Sequence, residues 1–173
     1  MAKGALSILV TCGAWTLGAA LLGACGGMGT SEGHARADNG YSTVQDGVSR
    51  TRAGLAQYLA GSTPAGMAAM SDGVHRVESG AGAIHSGLGM MPGSMMGDSC
   101  AAMGAQTMSL MDTGAGRMGE ALTKLGGSRA DDQASGMAMM RDAMQTVERG
   151  LQQMDAAMSC MNQCGSTMGG SMP

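Results

Sequence analysis

From Gly66 to Met91 the apolar residues recur at alternating steps of three and four: Met67, Met70, Val74, Val77, Ala81, Ile84, Leu88 and Met91. That spacing draws one apolar stripe along a long helix and leaves Asp72, Arg76 and Glu78 off it. The same pattern returns 70 residues later as Met137, Met140, Met144, Val147, Leu151, Met154, Met158 and Met161. The segments GMAAMSDGVHRVESG and GMAMMRDAMQTVERG agree at 8 of 15 positions. Such self-similarity at a fixed offset marks an internal duplication of a helical unit.

The remaining elements follow from the same periodicity. Val44, Val48, Leu55, Tyr58 and Leu59 predict a first helix over Ser42 to Leu59, ended by Gly61-Ser62-Thr63-Pro64. The second helix stops near Met91, because Pro92 cannot continue the hydrogen-bonding ladder. Met108, Met111, Ala115, Met118, Leu122 and Leu125 place a third helix before Gly126-Gly127-Ser128. Asp131 to Ser135 is read as a connection, and a fourth helix is expected from Gly136 to about Cys160 or beyond. Four amphipathic helices with short turns predict an all-α, antiparallel up-down-up-down four-helix bundle, built as a duplicated helical hairpin. Arg50 with Arg117 and Leu55 with Leu122 match at an offset of 67, which extends the duplication to the first and third helices. The competing reading is a loosely folded, Gly-rich chain.

Composition sharpens that picture. The 173 residues include 31 Gly and 21 Met but no Phe, so Met must fill much of the interior. A helical Gly costs about 1 kcal/mol relative to Ala. Gly73, Gly80, Gly82, Gly87, Gly116 and Gly119 therefore weaken the bundle unless small residues let helices approach closely. A formal charge of -3 without a basic cluster argues against a nucleic-acid surface. The glycines follow no strand and come with no nucleotide-site Lys, so no phosphate loop is expected. Asp72 with Glu78 and Asp142 with Glu148 are six residues apart and make no close carboxylate pair. The Glu-x-x-His sequence of di-iron bundles is absent, and no enzyme is expected.

The N-terminal 24 residues have the form of a processing segment, with Lys3 at its positive start and an apolar or small run from Leu6 to Ala24. Leu22-Gly23-Ala24-Cys25 resembles the lipobox of bacterial lipoproteins. The resemblance implies cleavage before Cys25, lipidation (palmitate) of that Cys, and a membrane-anchored location in the cell envelope, facing the periplasm or exterior. The expected organisation is a signal peptide at 1–24, a flexible tether at 25–41, a Met-rich helical domain at 42–164 and a disordered tail at 165–173. In that compartment thiols can oxidise.

The sulfur chemistry leaves two readings open. In the proposed topology one end of the bundle gathers Met90, Met91, Met95, Met96, Met158, Met161, Cys100, Cys160 and Cys164. Thioethers and thiolates are soft donors suited to Cu(I) or Ag(I), and this set is the candidate metal site. Alternatively Cys100 pairs with Cys160 or Cys164 in a stabilising disulfide, and the methionines are simply core. His34, His75 and His85 are candidate auxiliary ligands, although His75 and His85 lie about 15 Å apart along one helix. The mature region loosely resembles small Met-rich copper-binding proteins of the bacterial envelope, with Met67-x-x-Met70 and Met137-x-x-Met140 as the matching pattern. The two functional expectations are thus a lipid-anchored buffer for soft monovalent metal and a structural or interaction lipoprotein with another envelope protein as partner.

Overall fold

The computed structural model describes residues 28–91 and 97–167. Among the described residues there are four helices and no strand: α1 Met28–Leu59, α2 Thr63–Gly89, α3 Asp98–Leu125 and α4 Ala130–Thr167. Consecutive helices run antiparallel. α1 packs most extensively on α2, and α3 on α4, so two hairpins assemble into the bundle. The expected signal segment, Cys25, Met95 and Met96 lie outside the described residues. Met161 and Cys164 belong to the last turns of α4, with their side chains also outside that set.

Methionine fills the centre. Met70, Met111, Met118, Met140 and Met154 are fully buried, together with Ile84, Leu125 and the smaller Val44, Val77 and Val147. The a/d positions expected on α2, α3 and α4 account for most of this core. Leu59, expected on the apolar face of the first helix, instead lies at its exposed end.

Two helix boundaries differ from expectation. α1 starts at Met28 rather than Ser42, so the segment 28–41 expected as tether is helical and belongs to the bundle. The buried positions along it are Gly33, Ala37 and Gly40, which carry almost no apolar side chain and so left no hydrophobic periodicity to detect. α4 starts at Ala130 rather than Gly136. Asp131 and Asp132 occupy its first turn, where the helix dipole favours negative charge, and Gln133 donates from Nε2 to the Gly127 carbonyl at 2.9 Å.

The turn between α1 and α2 is closed by two backbone bonds. The Ser62 amide donates to the Gln57 carbonyl (3.0 Å) and the Gly61 amide to the Tyr58 carbonyl (3.1 Å), with Gly61 at φ +90°. This is the left-handed helix cap that glycine adopts without steric penalty.

Glycine also sets the distance between α1 and α2. Gly33, Gly40, Gly47 and Gly54 recur every seven residues on α1, and Gly66, Gly73, Gly80 and Gly87 do so on α2. Gly33 faces Gly87, Gly40 faces Gly80, Gly47 faces Gly73 and Gly54 faces Gly66. A Cβ at any of these eight positions would fall 2.6–2.8 Å from a backbone atom of the other helix. The two backbones are therefore in direct contact. Gly82, Gly116 and Gly119 have nothing within 4 Å of such a Cβ and play no part in this packing.

The second hairpin repeats the register with larger residues. Cys100, Thr107, Gly114 and Ala121 on α3 are the equivalents of Gly33, Gly40, Gly47 and Gly54 at the offset of 67. Gly136, Ala143, Gly150 and Ala157 on α4 are those of Gly66, Gly73, Gly80 and Gly87 at the offset of 70. A Cβ on Gly136 would sit 3.0 Å from the Ala121 carbonyl oxygen, and one on Gly150 would be 3.5 Å from that of Thr107. Adding Cβ atoms to the ladder has moved these backbones slightly further apart.

Candidate functional site

The sulfur-rich end of the bundle is where α1 and α3 begin and α2 and α4 end. The heptad register brings the start of α3 against the last third of α4, and a disulfide joins Cys100 to Cys160 with Cα atoms 5.9 Å apart. The pair is the duplicate of Gly33 and Met90 at the same offsets. A Cβ on Gly33 would come within 3.3 Å of the Met90 Cβ, so the first hairpin is closely packed at the equivalent point without a covalent bond.

Of the two readings open for these cysteines, a shared soft-metal site with the methionines or a disulfide, this structure contains the disulfide, formed by Cys100 and Cys160. With their sulfurs bonded to each other, Cys100 and Cys160 are not thiolates, and metal coordination by cysteine requires the thiolate. Cys100 is buried, Cys160 is half-buried, and both belong to the apolar cluster that includes Met91, Leu88 and Met158. Met91 is likewise buried, whereas Met90 is 40% exposed. At this end of the bundle Met91 and Cys100 are part of the continuous core, Met158 and Cys160 pack against it, and Met90 is exposed.

Histidine does not join this group. His75 lies on the exposed face of α2 with Nδ1 3.6 Å from a Glu78 carboxylate oxygen, and His85 is exposed two to three turns further on. His34 is half-buried on α1. Among the described residues no three His, Cys, Asp or Glu side chains converge on one point.

A second set of residues lies along the seam between α1 and α4, and the hydrophobic pattern did not point to it. Tyr41 donates from its hydroxyl to the Asp155 carboxylate at 3.1 Å. About two to three turns further along, Arg52 pairs with Glu148. Burial, followed by the Asp155 hydrogen bond and charge, pushes the Tyr41 hydroxyl above its ordinary pKa. Between and below these bridges are two shallow depressions that share Tyr41 and Asp155. Ala37, Val48, Leu151, Met154 and Met158 supply their apolar surface. The only advance signal was the unlike charge of Arg52 and Glu148, which are 96 residues apart and needed the tertiary fold to meet.

The outer faces of the hairpins carry ion pairs. Arg50 bridges Asp46 and Asp72, each at 3.0 Å, and Arg76 reaches the same two carboxylates at 3.1 and 3.2 Å. The Arg76 hydrogen bond and charge, assisted by Arg50, hold the Asp72 carboxyl below its ordinary value against the opposing effect of desolvation. Among the described residues no helix is long and apolar enough to cross a membrane. No protein family, curated protein or solved structure compared with this chain matches it.

Proposed function

We propose that this chain is a lipid-anchored protein of the bacterial cell envelope whose Met-cored bundle has a structural or interaction role without catalytic turnover. The observation that carries this reading is the Cys100–Cys160 disulfide. Disulfides persist in oxidising compartments, which is where a chain processed at Leu22-Gly23-Ala24-Cys25 would reside. The bond joins two helices across a sequence separation of 60 and stabilises the hairpin whose backbone packing is the looser of the two. Most of the large buried side chains are thioethers in the core, where adaptable packing accounts for them.

The test is expression of the full chain in a bacterium, followed by mass spectrometry of the mature N-terminus and detergent-phase partitioning. A diacylglyceryl-modified Cys25, lost together with membrane association in Cys25→Ser, supports the anchor. An unmodified, freely released chain overturns it. Crosslinking in intact cells then reads the interaction role, with a discrete adduct to another envelope protein as the expected result.

A second reading is favoured by one specific feature, the exposed Met90 at the end of the bundle that also carries Met91, Met158 and the Cys100–Cys160 pair. Here the bundle buffers Cu(I) or Ag(I) through thioethers, joined by Cys100 and Cys160 once a dithiol has reduced them. Met95, Met96, Met161 and Cys164 complete the donor set by sequence proximity. An anaerobic Cu(I) titration of oxidised and reduced protein against a competing chelator tests it. A defined stoichiometry only after reduction, abolished by serine at Cys100, Cys160 and Cys164, supports the reading. Failure to compete in either state eliminates it and leaves the structural role.

A further inference from the structure

The two offsets that relate the hairpins also relate the two seams between them. Moving α2 onto α4 by 70 residues and α3 onto α1 by 67 carries the α2–α3 contact onto the α1–α4 contact. A faithfully duplicated bundle would close both seams alike, but this one does not. α2 and α3 meet more closely, with Leu88 beside Gly104 and Met67 beside Gly126, whereas α1 and α4 are the least closely packed of the four neighbouring helix pairs among the described residues.

Side chains, not backbone packing, span the open seam. Tyr41 to Asp155 and Arg52 to Glu148 are its polar bridges, over the apolar floor of Val48, Leu151 and Met154. The bridges are particular to this side. The positions equivalent to Tyr41, Asp155 and Arg52 are Met108, His85 and Gly119, and only Glu148 has a like counterpart, Glu78. Each hairpin is meanwhile stiff within itself. One is locked by eight glycines in backbone contact, and the other by the same register with a disulfide that does not cross the seam.

The geometry points to a hinge: the α1–α2 and α3–α4 hairpins move as two rigid bodies about the α2–α3 seam and part along α1–α4, with Tyr41–Asp155 and Arg52–Glu148 as the latch. Opening costs the two solvent-accessible polar bridges, the 3.4 Å bond from the Tyr58 hydroxyl to the Leu125 carbonyl between α1 and α3, and the apolar contacts made across the seam. Separating helices inside either hairpin breaks continuous backbone packing. The motion therefore takes the α1–α4 route, uncovers Met154 and Leu151, and leaves the helices folded. The latch acts by positioning α1 on α4.

Pulsed electron-spin distance measurements on the full oxidised chain test this. Pairs of spin labels are attached through ketone-bearing residues, which leave the native cysteines untouched. One pair replaces Gln45 and Gln152 across α1–α4, and the other replaces His85 and Gln106 across α2–α3. The expected result is a second, longer population for the first pair only. That population should rise several-fold when Tyr41→Phe and Arg52→Ala are combined, at unchanged helical content. A single narrow distance for Gln45 and Gln152, unaffected by latch removal, overturns the hinge. So does equal broadening of both pairs, which would mean the whole bundle loosens. Because the unsubstituted latch also gives a two-population or one-population answer, the result stands even if the double variant does not fold.

Discussion

Arg117 reaches Asp142 across α3 and α4 at 2.6 Å, and this ion pair is the duplicate of the one between Arg50 and Asp72 across α1 and α2. Both partners are displaced by the offsets of their helices, 67 for the arginine and 70 for the aspartate. The conserved pairing ties the offset of α1 and α3 to three-dimensional register and makes the duplicated unit a whole hairpin.

These pairs differ in how many partners they have. Arg117 and Asp142 are both about half exposed, so Arg117→Ala should cost less than about 1 kcal/mol in urea denaturation. Asp72 is held by Arg76 and Arg50 together, and its carboxyl titrates below the ordinary value. A depressed folded-state pKa contributes stability that is fully present above the unfolded value of about 4 and is lost as pH falls through the folded one. Asp72→Asn should therefore flatten the acid limb of the stability profile, with no change in its slope above about pH 6.

Glycines in the same helix should respond to alanine with opposite signs. At Gly80 an added Cβ would meet the Gly40 carbonyl oxygen at 2.7 Å, so Gly80→Ala must push α1 and α2 apart and should destabilise by about 1–3 kcal/mol. At Gly82 the same atom meets nothing within 4 Å, and Gly82→Ala should stabilise by about 0.5–1 kcal/mol through helix propensity. Thermal melts of the two variants decide this. A shared sign would mean that the close approach of α1 and α2 is not what glycine provides.

Reduction should weaken the second hairpin selectively. Opening the Cys100–Cys160 bond, or replacing both residues by serine, is expected to lower stability by about 2–4 kcal/mol. Hydrogen exchange should rise first in α3 and α4. Uniform acceleration across all four helices would place the effect in global unfolding.

Thr107 is fully buried at the α3–α4 interface, and its hydroxyl has no hydrogen-bond partner among the described residues. An unsatisfied buried polar group costs about 1–3 kcal/mol. Thr107→Val keeps the shape and removes the hydroxyl, so the denaturation midpoint should rise. A falling midpoint would indicate that the hydroxyl has a partner in solution.

The alternating three and four spacing determined by itself that α2, α3 and α4 are helices, which faces they bury and that α2 and α4 are copies. Packing against a core requires that periodicity wherever the buried residues are large, as at Met70, Met111 and Met140. It carried no such information for the first turns of α1, where Gly33 and Gly40 are buried as backbone and the same letters in isolation describe a flexible segment. The choice between Cys160 and Cys164 as partner of Cys100 was equally closed to sequence reasoning, since the two lie one turn apart on the same helix. Tertiary register decided it. Gly136 docking beside Ala121, and Gly114 beside Ala143, set how far α4 slides along α3, and at that setting Cys160 lies within disulfide reach of Cys100.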